Sequence, residues 1–282
     1  KLSPLIEVDE LLAIYTRPDV LIFDVSNNKH AKDNYENEHI AGALFVDINT
    51  QLADIKEDLA QGGRHPLPEA VQFAKTLTNL GITKQTHVIL YDDNNGSNAA
   101  ARFWWMLRSV GHEKVQVLNG GLNQAKRNNF PMSSNVEIMK SASAPYQISQ
   151  WNWPTIEMNE VEKISQDQNY LVIDVRDKDR YDGKAEPIDL IAGHIPGAIN
   201  VPFKENLDQN GLFINPTELR KKYEAIFKEI KTDNIVIHCG SGVTACHTIL
   251  ALDYAELEIP ILYVGSWSEW SRNDKKMERV SE

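Results

Sequence analysis

Short, almost unbroken apolar runs punctuate the chain, and they come in matching pairs. Val20-Leu21-Ile22-Phe23-Asp24-Val25 has its counterpart in Tyr170-Leu171-Val172-Ile173-Asp174-Val175. His87–Tyr91, closed by Asp92, pairs with Asn234–His238, closed by Cys239. A third pair ends in glycine turns: Val115-Gln116-Val117-Leu118-Asn119-Gly120-Gly121 and Ile261-Leu262-Tyr263-Val264-Gly265-Ser266-Trp267. Runs of this length read as strands buried on both faces of a sheet. Stretches of helical character lie between them, at Asp9–Tyr15, Glu69–Leu80, Ala99–Ser109, Pro216–Ile230 and Ala245–Tyr254. Strands alternating with helices predict mostly parallel sheets with helices on both faces.

The pairing extends to histidines. His39 follows Asp24 by 15 residues and His194 follows Asp174 by 20, each in a His-Ile-x-Gly-Ala setting. The repeated unit is over about a hundred residues long, too long for a solenoid repeat, so two tandem α/β domains are expected. Their spans are 1–140 and 159–282, with a linker at 141–158. The join, broadly Phe130 to Met158, carries Pro131, Pro145 and Pro154 and the Ser/Ala stretch Ser141–Ala144.

Composition narrows the class. A chain of 282 residues can bury two cores. With 42% apolar and 24% charged residues it reads as an ordinary soluble globular protein. No apolar run is long enough to cross a bilayer. The formal charge of −11 argues against nucleic acid and against anionic membranes as partners, and means that an anionic substrate must be drawn by local positive potential. The opening Lys1-Leu2-Ser3-Pro4 carries no signal-peptide pattern. Two cysteines, Cys239 and Cys246, separated by a loop and two helical turns, do not suggest a structural disulfide, so a reducing compartment, the cytoplasm, is expected. The eight histidines form no HExxH, two cysteines cannot build a four-cysteine site, and the glycine-rich phosphate motifs are missing. Neither metal nor cofactor is expected.

Chemistry concentrates at Ile235-Val236-Ile237-His238-Cys239-Gly240-Ser241-Gly242-Val243-Thr244-Ala245. Strand, tight loop and helix start, in that order, place Cys239 at the carboxyl edge of a sheet, where open α/β sheets bind ligands. Inward N–H groups of the loop and the first turn of the helix make a cradle for an anion, and a cysteine there is expected to be held as thiolate. The alternative is a buried structural cysteine at a strand end, but two glycines in four residues are costly unless backbone must approach something closely. A cysteine phosphatase would carry an arginine six residues after its cysteine; here that position is Ala245. Cys246 reads as a core thiol on the helix face.

Cys239 to Ala245, CGSGVTA, resembles the active-site loop of the rhodanese superfamily, and within it that of the 3-mercaptopyruvate sulfurtransferases. The paired Asp24-Val25-Ser26 and Asp174-Val175-Arg176 starts, the repeated histidine segments, Arg102-Phe103-Trp104-Trp105 and Gly265–Trp270 extend the resemblance over nearly the whole chain. It implies two tandem rhodanese-like domains, each a mostly parallel sheet with helices on both faces, with catalysis in the second. Asp92 stands where Cys239 stands in the other half, and an aspartate cannot hold a persulfide.

The resemblance also implies roles. Cys239 is the nucleophile, and Gly240, Gly242, Val243 and Thr244 form the binding loop. Arg180 matches the arginine that clamps the substrate carboxylate, with a solvated surface arginine as the alternative. The family's second arginine, nine residues on, is replaced here by Asp189, and Arg102 or Arg64 offers a substitute. Thiosulfate-type loops carry basic residues where this chain has Gly240 and Ser241, so the neutral loop suits a monocarboxylate thiol. A serine–histidine–aspartate relay would consist of Ser241, His39 and Asp33, with a capping role as the alternative for His39. The implied activity is sulfur transfer from 3-mercaptopyruvate, through a persulfide on Cys239, to cyanide or a thiol acceptor such as thioredoxin or glutathione, releasing pyruvate. Thiosulfate sulfurtransferase and a non-catalytic sulfur carrier or regulatory module are the alternatives.

Overall fold

Two parallel sheets carry the chain. The computed structural model describes residues 1–95 and 99–281. They form two units, Lys1–Ala53 with Pro68–Asn152 and Asn210–Leu212, and Asp54–Leu67 with Trp153–Gln209 and Phe213–Glu282. Asp54–Leu67, although it stands between strands of the first unit in sequence, therefore packs as part of the second.

The first unit runs β1 (Leu5–Ile6), α1 (Val8–Ile14), β2 (Val20–Asp24), α2 (Ala31–Asn37), β3 (His39–Ile40), β4 (Leu44–Phe45), α3 (Ile48–Gln51), α4 (Ala70–Asn79), β5 (His87–Tyr91), α5 (Ala99–Ser109), β6 (Val115–Leu118), α6 (Gly121–Arg127) and β7 (Met132–Ser133). Its main sheet has the order β1-β6-β5-β2-β4, with every pairing parallel. β3 and β7 form a separate antiparallel pair. One face of this sheet packs Ile22, Ile89, Tyr91 and Leu118 against Leu11 and Ala125.

The second unit runs α7 (Met158–Ile164), β8 (Leu171–Asp174), α8 (Lys178–Asp182), β9 (Ile199–Asn200), a 3₁₀ turn (Phe203–Asn206), α9 (Pro216–Phe227), a second 3₁₀ turn (Thr232–Asn234), β10 (Ile235–His238), α10 (Thr244–Tyr254), β11 (Ile261–Leu262) and α11 (Ser266–Trp270). Its sheet order, β11-β10-β8-β9, is again all parallel and repeats the β6-β5-β2-β4 order of the first. Thr155 adds a parallel bridge to Leu262, at the place β1 holds in the other unit. The tandem repeat read from the apolar runs is thus a repeat of strand order.

Local chemistry sets the boundaries. α9 starts where Asn215 accepts from the Thr217 N–H, followed by Pro216 in the first turn, the favoured N-terminal pair. It stops at Phe227, short of the predicted Ile230, because Lys228 turns to a φ of 52°. The β8–β10 register sets Asp174 opposite His238, so two buried strands end side by side and Cys239 follows at once. Beneath them pack Val172, Val236, Tyr263, Trp267 and Trp270. Among the described residues no helix is long and apolar enough to cross a membrane.

Candidate active site

The loop after β10 is held open by its neighbours. The Cys239 carbonyl accepts from the Trp267 N–H at 3.0 Å and the Gly240 carbonyl from the Ser268 N–H at 2.8 Å. Both donors are free because they lie in the first turn of α11, where helix N–H groups have no internal partner. With the carbonyls turned toward α11, the loop can present N–H groups to the sulfur, and Gly242 N–H reaches Cys239 Sγ at 3.1 Å. A thiolate accepts such a bond better than a thiol does, and α10 begins two residues later. Gly242 has φ +79°, and a Cβ there would stand 2.6 Å from the Val264 carbonyl. Only glycine fits.

Ser266 is a residue that the sequence reading passed over. It is fully buried with φ 55°, a conformation that costs a non-glycine residue of order 1–3 kcal/mol. Its Oγ accepts from Cys239 N–H at 3.1 Å, donates to the Tyr263 carbonyl at 2.8 Å and lies 4.0 Å from the sulfur. The strained backbone thus holds a hydroxyl against Cys239.

The histidine beside Ser241 is His65. Its Nδ1 is 2.8 Å from Ser241 Oγ. It arrives on the Asp54–Leu67 segment, which is tied to α11: Glu269 accepts from Gly62 N–H at 2.8 Å and Ser268 Oγ from Arg64 N–H at 3.0 Å. Gly63, at φ +78°, lies so close that a Cβ would meet Ser268 Oγ at 2.4 Å and the Gly265 carbonyl at 2.6 Å. Arg64 then lies over the loop, its Nη2 at 2.9 Å from where a Gly240 Cβ would be, with Arg180 Nη2 at 3.4 Å and Nη1 at 3.6 Å. Two guanidiniums therefore converge on Gly240. Of the two substitutes read for the second arginine, Arg64 is the one beside Arg180.

Three sequence expectations are corrected. His39 is not the partner of Ser241. Its Nδ1 bonds the Tyr35 carbonyl at 2.7 Å, its ring stacks on Tyr35 and its Nε2 faces Glu137 at 3.6 Å. His194 repeats this pattern with the Tyr181 carbonyl, the Tyr181 ring and Glu278, so both histidines brace the same turn of the repeated fold. Asp33 lies exposed in the first turn of α2. Arg102 is fully buried inside α5, donating to the Leu52 carbonyl at 2.9 Å; a side chain with no accessible surface does not meet a substrate.

Asp174 and His238 support the loop from below. Burial alone would raise the Asp174 pKa, but Arg176, bonded at 2.7–3.1 Å, and His238 hold the carboxyl below its ordinary 3.8. Burial lowers His238 from the ordinary 6.5 and keeps it neutral, against the pull of Asp174 at 3.9 Å. In both cases acid favours the unfolded chain, which binds protons that the fold declines. For His238 the loss begins as pH falls below 6.5 and accumulates down to its lower folded value; for Asp174 it begins below 3.8. Thermal unfolding followed from about pH 7.5 to about pH 5 should give a shallower fall for His238→Asn than for the wild type. Equal slopes would assign the acid sensitivity elsewhere, with buried His112, also lowered by burial, the next candidate.

Cys246 is buried on α10 with its thiol directed to the Gly242 carbonyl at 3.5 Å. Cys246→Ala is expected to keep most turnover. A large loss with an unchanged melting temperature would give the second thiol a part in the chemistry.

This geometry meets known proteins. The Rhodanese-like domain family matches residues 7–128 and 157–273. The chain belongs to the rhodanese family. It is 33% identical over 280 residues, 97% of both chains, to a probable 3-mercaptopyruvate sulfurtransferase of Pseudomonas aeruginosa. To a thiosulfate sulfurtransferase of Rattus norvegicus it is 34% identical, over 94% of this chain and 89% of the other. The crystal structure of SseA from Escherichia coli, a 3-mercaptopyruvate sulfotransferase, matches at a TM-score of 0.77 and 31% identity, covering 95% of this chain and all of that one. The relatives are sulfur-transferring enzymes, and the fold, the enzyme class and the tandem rhodanese domains follow. Relatives named for either donor match at 33–38% identity over most of the chain, so the choice of donor is argued from side chains.

Proposed function

We propose that this rhodanese takes sulfur from 3-mercaptopyruvate onto Cys239 and passes it to a thiol or to cyanide. The observation that carries the reading is the neutral Gly240-Ser241 loop, with Ser241 Oγ at 2.8 Å from His65 Nδ1 and Arg64 and Arg180 over Gly240. The donor carboxylate sits between the two arginines, which brings its sulfur toward Cys239. The thiolate attacks that sulfur, an S–S bond forms, the C–S bond breaks, and the electron pair passes to the methylene carbon as the enolate of pyruvate. The proton of the donor thiol must then move from sulfur to that carbon. Ser241 and His65 are a hydroxyl and an imidazole already in contact, and they shuttle it. The products are pyruvate and a Cys239 persulfide, whose negative outer sulfur is stabilised by loop N–H groups. An acceptor thiolate attacks the outer sulfur and returns Cys239 as thiolate.

Two arginines over the loop also favour the rival donor, thiosulfate. Their charge, however, is shared with Glu186 and Asp189, which bond Arg180 at 3.1 and 3.4 Å. The test runs both assays on one preparation: pyruvate release from mercaptopyruvate, and thiocyanate formation from thiosulfate and cyanide. Pyruvate release should dominate, and thiocyanate as the faster product would reverse the donor assignment. His65→Gln should lower kcat for mercaptopyruvate by about 10²–10⁴, the range for a lost proton-transfer group, with KM changed little. Unchanged kcat would remove His65 from the proton path.

A further inference from the structure

The position where a second arginine was expected holds an acid, and that acid draws three arginines together. Asp189 is fully buried as a side chain. Its Oδ1 accepts from Arg64 Nε at 3.0 Å and Arg272 Nη1 at 2.8 Å, and its Oδ2 from Arg180 Nη2 at 3.4 Å and Arg64 Nη2 at 3.5 Å. Three guanidiniums thus share one carboxylate. Glu186 fixes its place, accepting from Asp189 N–H at 2.7 Å and Ile188 N–H at 2.9 Å while bonding Arg180 Nε and Nη2. Arg64 and Arg180 each spend Nε and one Nη on these carboxylates, and no protein acceptor among the described residues takes the other Nη. Each arginine thus keeps one Nη without a protein acceptor among the described residues, while Arg64 Nη2 and both Arg180 Nη atoms lie nearest Gly240, with much of their charge already countered.

We propose that Asp189 is the positioning and specificity-determining residue of this site: it gathers Arg64 and Arg180 over Gly240 and cancels part of their charge, so the site selects a monoanionic carboxylate over a dianion. This rests on the sulfurtransferase reading and names the device behind its donor preference. An arginine at position 189 would have added a positive charge beside the two already present. The acid recruits one from the Asp54–Leu67 segment instead, and brings a compensating negative charge with it. A carboxylate with one charge meets the N–H groups of both guanidiniums there. A dianion of similar size meets the same two guanidiniums and a buried carboxylate behind them, which repels its second charge.

The experiment reads binding in the Cys239→Ser background, where no sulfur is transferred. Calorimetric Kd values are measured for pyruvate, a monoanion, and thiosulfate, a dianion, in that background alone and with Asp189→Asn, Asp189→Glu, Arg64→Gln, and Arg64→Gln combined with Asp189→Asn. Asp189→Asn should shift the preference toward thiosulfate by at least about fivefold, and Asp189→Glu, which keeps the charge, should not. Arg64→Gln should weaken pyruvate binding about tenfold alone and by less than about threefold once Asp189 is already Asn, since the two act as a unit. A merely structural Asp189 would lower the melting temperature and leave the anion ratio unchanged, and that result overturns the proposal, as do fully multiplicative effects of the two substitutions. Should Asp189→Asn not fold, Arg64→Gln decides alone: with one guanidinium gone and the acid retained, the preference for pyruvate over thiosulfate must rise by at least about fivefold, and a smaller change overturns the proposal. Wild-type protein that releases no pyruvate would sink the sulfurtransferase reading but leave the anion ratio to be judged by itself. An unchanged ratio in an active enzyme would sink only the role of Asp189.

Discussion

Cys239→Ser is expected to abolish sulfur transfer while leaving the fold intact. The hydroxyl is nearly isosteric with the thiol, and the backbone bonds that hold the loop, from Trp267 N–H to the residue-239 carbonyl and from Ser268 N–H to the Gly240 carbonyl, do not involve the sulfur. What is lost is chemical. One N–H donor stands 3.1 Å from the sulfur, but an alcohol is too weak an acid to act as the attacking anion, and oxygen cannot carry the transferred sulfur. Pyruvate release should fall to the level of a blank without enzyme, with the melting temperature within a few degrees of wild type. Residual turnover above about one part in a hundred would mean that another group accepts the sulfur.

The second large effect is donor choice. Mercaptopyruvate should be preferred over thiosulfate by at least about a hundredfold in kcat/KM, because one uncompensated charge in a water-poor cleft costs several kcal/mol and each 1.4 kcal/mol is about tenfold. Arg180→Ala should then raise KM for mercaptopyruvate by about 10–100-fold, the loss of a charge-assisted hydrogen bond worth about 1.5–3 kcal/mol. Its kcat should suffer less, since Arg64 still holds one side of the carboxylate. Equal kcat/KM for the two donors in the unmodified enzyme would show that the neutral Gly240-Ser241 loop is a poor guide to the substrate.

Much of this was legible in the chain. Apolar runs ending at Asp24, Tyr91, Asp174 and His238 are the central strands, because a strand buried on both faces has no polar alternation to blur it. Cys239, with glycines at 240 and 242, announced a loop that something approaches closely, and Val264 and the two arginines are what approach it. Asp189 stood out as a departure from the family pattern, but its three arginine partners come from positions far apart in sequence, and no local pattern encodes such a convergence.

His65 was missed for a related reason. The Asp54–Leu67 segment is loop throughout, with neither helical nor strand period, and its place with the second unit is a tertiary fact. His39, the histidine that the family resemblance implied, lies in a repeated motif. The repeat was the better argument against it: a histidine present in both halves, stacked on a tyrosine in each, serves what the halves share. One signal for His65 did exist. Gly62-Gly63 just before Arg64-His65 is a second costly glycine pair, and the close approach it permits, to Ser268 and Gly265, brings both side chains to the loop. The same reasoning that singled out the cysteine loop would have found it.

The most direct test of sulfur transfer through Cys239 is the intact mass of the protein after brief exposure to mercaptopyruvate without an acceptor, followed by peptide mapping. One added sulfur, about 32 Da, should appear on the peptide containing Cys239 and disappear when a thiol or cyanide is added. Pyruvate released with no mass gain, or the added sulfur carried by Cys246 and retained in Cys239→Ser, would contradict a persulfide on Cys239.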